Sequence, residues 1–307
     1  MRYSITILLL VAFSKIQAQQ DTTVRVLFRR VVSVLASDSL KGRATASPEI
    51  ELALSFLQKE FKSVTGKKLR TQKFTILLKD SSVVSATNAY FFFNNHSKHT
   101  VIIGAHYDHI GLGGGLSKSF QSTVVHNGAD DNASGVAMTL ALARQLAHRK
   151  SNVNYLFVFY SGHEIGLYGS TSFYKELVLS SKKFGTIDRV FNFDMIGRLD
   201  YTSHIMRCVT FPSKDSLMYR LPDMHGIDVR EGNNEVLLKL DTKVYVEAGI
   251  PTIHLTTGVH FDYHRPTDDA PFIHYDGMQQ IYELLCELFL CYPLSSALPS
   301  PPSELKE

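Results

Sequence analysis

The sequence predicts a single-domain, three-layer α/β/α protein with a mixed, mostly parallel central sheet, and three observations carry that expectation. Short apolar runs rich in β-branched and aromatic residues recur from Phe74 onward. Stretches of helical period separate several of them. The runs are near-continuous rather than alternating, as strands covered on both faces must be. A chain of 307 residues can bury roughly 75% of its unfolded surface in one core, so a single domain is expected.

Taken in order, the chain opens with Arg2 and the apolar run from Ile5 to Phe13, followed by Ile16-Gln17-Ala18. This is the pattern of a signal peptide over residues 1–18 and predicts an exported, periplasmic or extracellular protein. The run is too short for a span of about 20 residues, and no later segment is long and apolar enough to be transmembrane. Residues 19–292 are then the folded domain. Val24 to Phe61 shows helical spacing interrupted by "SDSLKGRATASPE", where Gly42 and Pro48 mark a loop between two helices. The strand candidates are "KFTILL", "AYFFFN", "TVIIGA", "NYLFVFY", "RVFNF", "IMRCVTF" and "PTIHL". Helices are expected over 133–147 and 278–289, and the Pro- and Ser-rich residues 293–307 read as a loose tail.

Cleavage after Ala18 leaves 30 basic against 29 acidic residues, so bulk charge gives no reason to expect nucleic acid or an acidic membrane as a partner. Cys208, Cys286 and Cys291 are too few for a disulfide scaffold, and the spacing of Cys286 and Cys291 puts them on different faces of a helix, which favours buried free thiols over a bridge between them.

The polar chemistry gathers where strands end. "TVIIGA" runs into His106-Tyr107-Asp108-His109, "NYLFVFY" into Ser161-Gly162-His163-Glu164, "RVFNF" into Asp194, and "PTIHL" leads through a loop to His264. In open α/β sheets, ligands bind in the crevice beyond the carboxyl ends of the strands. "GADDNASG" precedes an Ala-rich helix, which Asp131, Asn132 or Ser134 could cap. Alongside the other strand ends, a carboxylate bridging two metal ions is the better account of that loop. Imidazole and carboxylate without thiolate suit zinc in a catalytic site. The stretch "SGHEIGLYGS" begins like the helical motif H-E-x-x-H, but position 167 is Leu and the second histidine is missing.

The series "GAHYDH", "GADDNASG", "HEIGLYGS", "FDMIG" and "DYHRPTDD" resembles, in order and spacing, the di-zinc aminopeptidase family, which includes bacterial leucyl aminopeptidases and, more distantly, glutaminyl cyclases. With "LASDSLKGRATASPE" the resemblance covers about residues 25 to 292. It implies a zinc exopeptidase-like fold, two zinc ions and a peptide or aminoacyl substrate. His106 and Asp194 would hold one zinc, Glu164 and His264 the other, and Asp130 would bridge them, with a cis peptide at Asp130-Asp131. Asp108 falls where the family has a carboxylate that orients a metal-binding imidazole. His109, His126, His254 and His274 match no metal position and read as surface or hydrogen-bonded histidines.

Two departures qualify the resemblance. The residue before the zinc-binding glutamate in active members is a second glutamate, the general base; here it is His163. Histidine can serve as a base, since its reference pKa of about 6.5 lies near working pH. Upstream of "AGIP" stands Leu240-Asp241-Thr242 in place of Ser-Asp-His or Ser-Asp-Tyr, and Asp241 could equally be a helix cap. The leading expectation is an exported zinc aminopeptidase with His163 and Asp108 as its catalytic residues. The alternatives are a weakened or inactive di-zinc homologue acting as a binding protein and, last, a glutaminyl cyclase. The glycines Gly111, Gly113, Gly114 and Gly115 suggest a mobile rim.

Overall fold

A computed structural model describes residues 23–120, 123–147, 149–199, 202–212, 218 and 225–291. The expected signal peptide at 1–18 and tail at 293–307 lie outside the described residues. Eight strands form one sheet in the order β1-β2-β4-β3-β5-β8-β6-β7. They are β1 (Arg70–Leu77), β2 (Val83–Phe93), β3 (His99–His106), β4 (Asn154–Tyr160), β5 (Thr186–Phe193), β6 (Ile205–Phe211), β7 (Asp228–Glu231) and β8 (Thr252–Thr256). The central pairs β4/β3, β3/β5 and β5/β8 are parallel, as is the edge pair β6/β7, whereas β1/β2, β2/β4 and β6/β8 are antiparallel. Parallel pairs outnumber antiparallel ones, as expected, and they carry the functional edge.

Strand alternation sorts the core into two layers. On β4, Tyr155, Phe157 and Phe159 face one layer, and Leu156, Val158 and Tyr160 the other. All seven β4 residues are buried, which is why this strand reads as an unbroken apolar run. The larger layer holds α1 (23–35), α2 (Pro48–Thr65), α3 (Gly135–Leu146) and α7 (Tyr275–Cys291). The smaller holds α4 (Tyr168–Leu179), the one-turn α5 (Ser181–Phe184) and α6 (Lys243–Glu247). Helix α2 starts where the chemistry directs: the Ser47 hydroxyl accepts from the Ile50 N–H, Pro48 occupies the first turn, and Gly66 closes the helix at φ 70°. Helix α3 has its apolar side chains buried on every face, so it lies inside the large layer rather than on it.

Among the described residues no helix is long and apolar enough to cross a membrane. Among the described residues neither Cys208 nor Cys286 is in a disulfide; the Cys291 side chain lies outside what is described.

Candidate metal centre

Because β4, β3, β5 and β8 are neighbours and run the same way, their carboxyl ends open on one edge. That edge receives His106 at the end of β3, Glu164 after β4, Asp194 after β5 and His264 on the loop beyond β8. The four residues expected there from the sequence do converge. His106 Nε2 lies 3.4 Å from Asp194 Oδ1 and 3.3 Å from Asp131 Oδ1. His264 Nε2 lies 3.2 Å from Asp131 Oδ2 and 3.2 Å from Glu164 Oε2. Asp131 is therefore the carboxylate shared between two imidazole–carboxylate pairs.

This corrects the assignment of Asp130. Its side chain turns away: Oδ1 accepts from the Gly197 N–H at 2.6 Å and Oδ2 faces His260 Nε2 at 3.1 Å. The cis peptide is likewise Asp131-Asn132, not Asp130-Asp131. The helix-capping reading of this loop holds as well, at its third polar position. Asn132 Oδ1 accepts from Gly135 N–H at 3.0 Å and Met195 N–H at 3.2 Å, while Nδ2 donates to Phe193 O at 2.9 Å. One amide thus ties the Asp131 loop to the end of β5, which carries Asp194.

Buried groups beneath the cluster fix its shape. Asp268 accepts from the backbone N–H groups of Asp130 and Asp131 at about 3.0 Å. The guanidinium of Arg43 is fully buried and donates to the carbonyls of Leu35, Tyr107, Asn127, Gly128 and Asp131. Burial lowers its pKa to about 10, with Asp131 and Asp108 opposing the shift, so it stays charged at neutral pH. Asp108 acts on more than an imidazole. Its main-chain carbonyl accepts from His106 Nδ1 at 3.1 Å, and its carboxylate accepts from the His163 and Glu164 N–H groups at 3.3 Å and from Thr45 Oγ1 at 2.7 Å. His264 Nδ1 is held by Leu116 O at 3.0 Å. With Nδ1 engaged by a carbonyl in both rings, Nε2 is the atom left to bind metal; without an ion, burial pushes both imidazoles down but the facing carboxylates outweigh it, raising His106 well above the usual range and His264 to about 10.

Three further residues enter the site. His109, read from sequence as a bystander, is buried, with Nδ1 3.0 Å from Glu164 Oε1. His163 stacks on His106, ring centres 3.7 Å apart and planes 5° from parallel. Asp241 is a buried partner rather than a cap: its Oδ2 accepts from His163 Nδ1 at 2.9 Å. The ligand atoms of His106, His163 and Asp194 come within 4.8 Å of one another. An ion binds in the plane of an imidazole, however, and the planes of His106 and His163 are parallel and separate, so one ion cannot lie in both. The other three histidines read from sequence as bystanders are hydrogen-bonded elsewhere: His126 to Val124 O and Ser117 Oγ, His254 to Asn192, and His274 to Leu199 O.

The electrostatics are those of a compensated cluster. Burial and Asp131 push the Glu164 carboxyl up, but hydrogen bonds from His109 and His264 outweigh them and hold it well below the usual carboxylate range. Burial and His106 push His163 down, while Asp241 and Asp194 outweigh them and hold it at about 9. Divalent cations in place of these protons favour the neutral imidazole.

The residues fit a metal centre. The Nε2 atoms of His106 and His264 are buried, and each faces two carboxylates at 3.2–3.4 Å without a well-directed hydrogen bond to either, as atoms around a shared cation would. The donors are nitrogen and oxygen only, a set that suits zinc. The glycine rim is anchored to the N-terminal loop: the Gly111 N–H donates to Gly42 O at 3.0 Å, and Gly111 O accepts from the His126 N–H at 2.9 Å. Gly113 sits at φ 85°, and a Cβ there would fall 2.3 Å from the His126 ring.

Fold and site together define an α/β/α protein with a buried imidazole–carboxylate centre at the carboxyl edge of its sheet. Residues 90–289 match the family model described as peptidase family M28, and the chain belongs to that family. It is 31% identical over 147 residues, 46% of this chain, to a "probable leucine aminopeptidase" of Arthroderma benhamiae, and the match spans 35% of that protein's length. The fold is similar to that of the LapA aminopeptidase of Legionella pneumophila, with TM-score 0.69, 18% identity, and 93% of this chain and 74% of that one covered. A zinc aminopeptidase from Bacillus subtilis gives TM-score 0.68 at 15% identity, covering 85% of this chain and 93% of that one. A Zn-dependent exopeptidase from Parabacteroides distasonis gives 0.68 at 16%, covering 87% and 98%. At these identities the structural likeness speaks to the fold.

Proposed function

We propose that the protein is a zinc-dependent aminopeptidase that binds two ions. His106 and Asp194 hold one, Glu164 and His264 the other, and Asp131 lies between them. The observation that carries this reading is the pair of buried imidazole Nε2 atoms that face Asp131 from either side, each with a second carboxylate beside it. Zinc, when bound, supplies Lewis acidity that polarises the scissile carbonyl and makes water a nucleophile near neutral pH. The protein's own residues supply the rest. His163 donates through Nδ1 to Asp241, and with bound cations disfavouring its second proton, Nε2 would take the proton of the attacking water and return it to the leaving amine. Asp108 fixes His106 through its carbonyl and the His163-Glu164 backbone through its carboxylate, holding base and ligands in one frame. Such a base adds about 10²–10⁴-fold.

The same proposal places the protein outside the cytoplasm, supported by the leader pattern of residues 1–18. N-terminal sequencing of the exported chain should begin at Gln19. A second reading, a di-zinc binding protein with little turnover, is favoured by His163 standing where the family has glutamate. Metal analysis alone cannot separate the two. The test is turnover of aminoacyl anilides by protein shown to carry two zinc ions: slow hydrolysis supports the enzyme, and none over a full panel supports the binding protein.

A further inference from the structure

A cavity of about 550 Å³ opens directly off the metal centre, and its far wall bears charge that the centre does not use. At its inner end are Asp131, His163 and Asp194. Its floor is the outer face of β6 and β8. Met206 and Cys208 of β6 point into the main core, so Arg207 and Val209 point the other way, beside His254 and Thr256 of β8. The segment Gly232–Leu240 closes one side and brings Lys239 to the wall.

Neither Arg207 nor Lys239 has an ion pair or hydrogen bond through its side chain among the described residues, whereas Glu231, on the same wall, has an interaction partner of its own. Two exposed cations without a side-chain partner among the described residues thus line a cavity whose walls at Met195, Val209, Leu240 and Val259 are apolar. The register sets the scale. Phe193 pairs with Leu255, and Leu255 pairs with Cys208, so Arg207 stands level with Asp194 and two strands away, about 10 Å at the usual strand spacing. A guanidinium reaching back over that distance meets a group a few bonds from the reacting carbonyl.

We propose that this cavity selects substrates bearing a carboxylate, which Arg207 and Lys239 bind while the apolar walls take the intervening methylenes. The inference rests on the metallopeptidase reading for the location of the reacting carbonyl. Two sources of the carboxylate fit: the side chain of an N-terminal Glu or Asp, or the terminal carboxylate of a short peptide.

The test compares acids with their uncharged isosteres on the zinc-loaded protein at low salt. Calorimetry would measure binding of glutamate, glutamine and leucine hydroxamates, and turnover would be followed on the matching p-nitroanilides and on Leu-Gly against Leu-Gly amide. The expected result is a preference of about ten-fold or more for one acid over its amide. That preference should collapse in Arg207→Met/Lys239→Met, with a melting temperature like wild type as the folding control. Preference for glutamate over glutamine assigns the side chain as the source, and preference for Leu-Gly over its amide assigns the terminus. The proposal is overturned if no acid outperforms its isostere, or if a preference survives in the double variant. Hydroxamate preference without any turnover would keep the pocket assignment while removing the peptidase reading.

Discussion

The imidazole of His163 lies flat on that of His106, 3.7 Å between ring centres, while its Nδ1 is tied to Asp241 at 2.9 Å. The ring is thereby fixed in orientation and tautomer beside the metal centre without belonging to it. Replacing His163 by Ala should lower kcat by about 10²-fold or more and leave zinc content at the wild-type value. Asp241→Asn should also lower kcat, by about ten-fold or more, because an amide can hold the wrong tautomer. His163→Glu should preserve or raise turnover. Vigorous hydrolysis by His163→Ala would exclude the imidazole as base.

Asp131 and Asp130 are neighbours in sequence with opposite duties. Asp131→Asn should strip bound zinc at both positions, since the carboxylate faces both His106 and His264. Asp130→Asn should retain both ions, because its oxygens serve Gly197 and His260. Elemental analysis of dialysed protein decides between them, and the reverse pattern would restore the assignment made from sequence.

Arg43 can be tested by stability. Arg43→Met keeps the volume of the stem but leaves up to five main-chain carbonyls short of a donor. Each orphaned buried group costs about 1–3 kcal/mol, so a loss of at least about 3 kcal/mol is expected in urea unfolding. An unchanged midpoint would show that water replaces the guanidinium.

Cys286 should be inert in the native protein. Burial pushes its thiol up to about 12, so roughly one molecule in 10⁴ is thiolate at pH 8. Iodoacetamide should label the Cys286 peptide only after denaturation, as read by mass spectrometry. Rapid native labelling would mean the helix end carrying it opens readily.

The strands β1 to β6 and β8, the helix pair flanking Gly42 and the long helices α3 and α7 were legible because their apolar runs exceed what loops contain. Strand β7 was not: "DVRE" lies at the sheet edge, pairs on one side only and needs no apolar face. Helix α4 was hidden by Gly166 and Gly169, the second of which is buried so closely that a Cβ would fall 2.1 Å from Ser161 O. At the site, residue types at strand ends could be read, but not the direction of each side chain once the strand stops. Asp130 and Asp131 are chemically identical, and only the turn decides which one faces inward. For the same reason His109 was passed over, and Asp241 read equally well as a cap.

The floor of the centre draws its supports from far apart in the chain. Arg43 grips the carbonyls of Gly128 and Asp131, and Asp268 holds the Asp130 N–H across 138 positions. A ribosome must therefore have made nearly the whole domain before the loop bearing Asp131 can take its final form. The β3 and β4 termini could be laid down long before, but the frame around the proposed ligands has to wait for a nearly finished chain. Excision of the segment around Arg43, which precedes the region matched to the family, would keep every proposed ligand in the sequence and remove the donor that holds the Asp131 carbonyl.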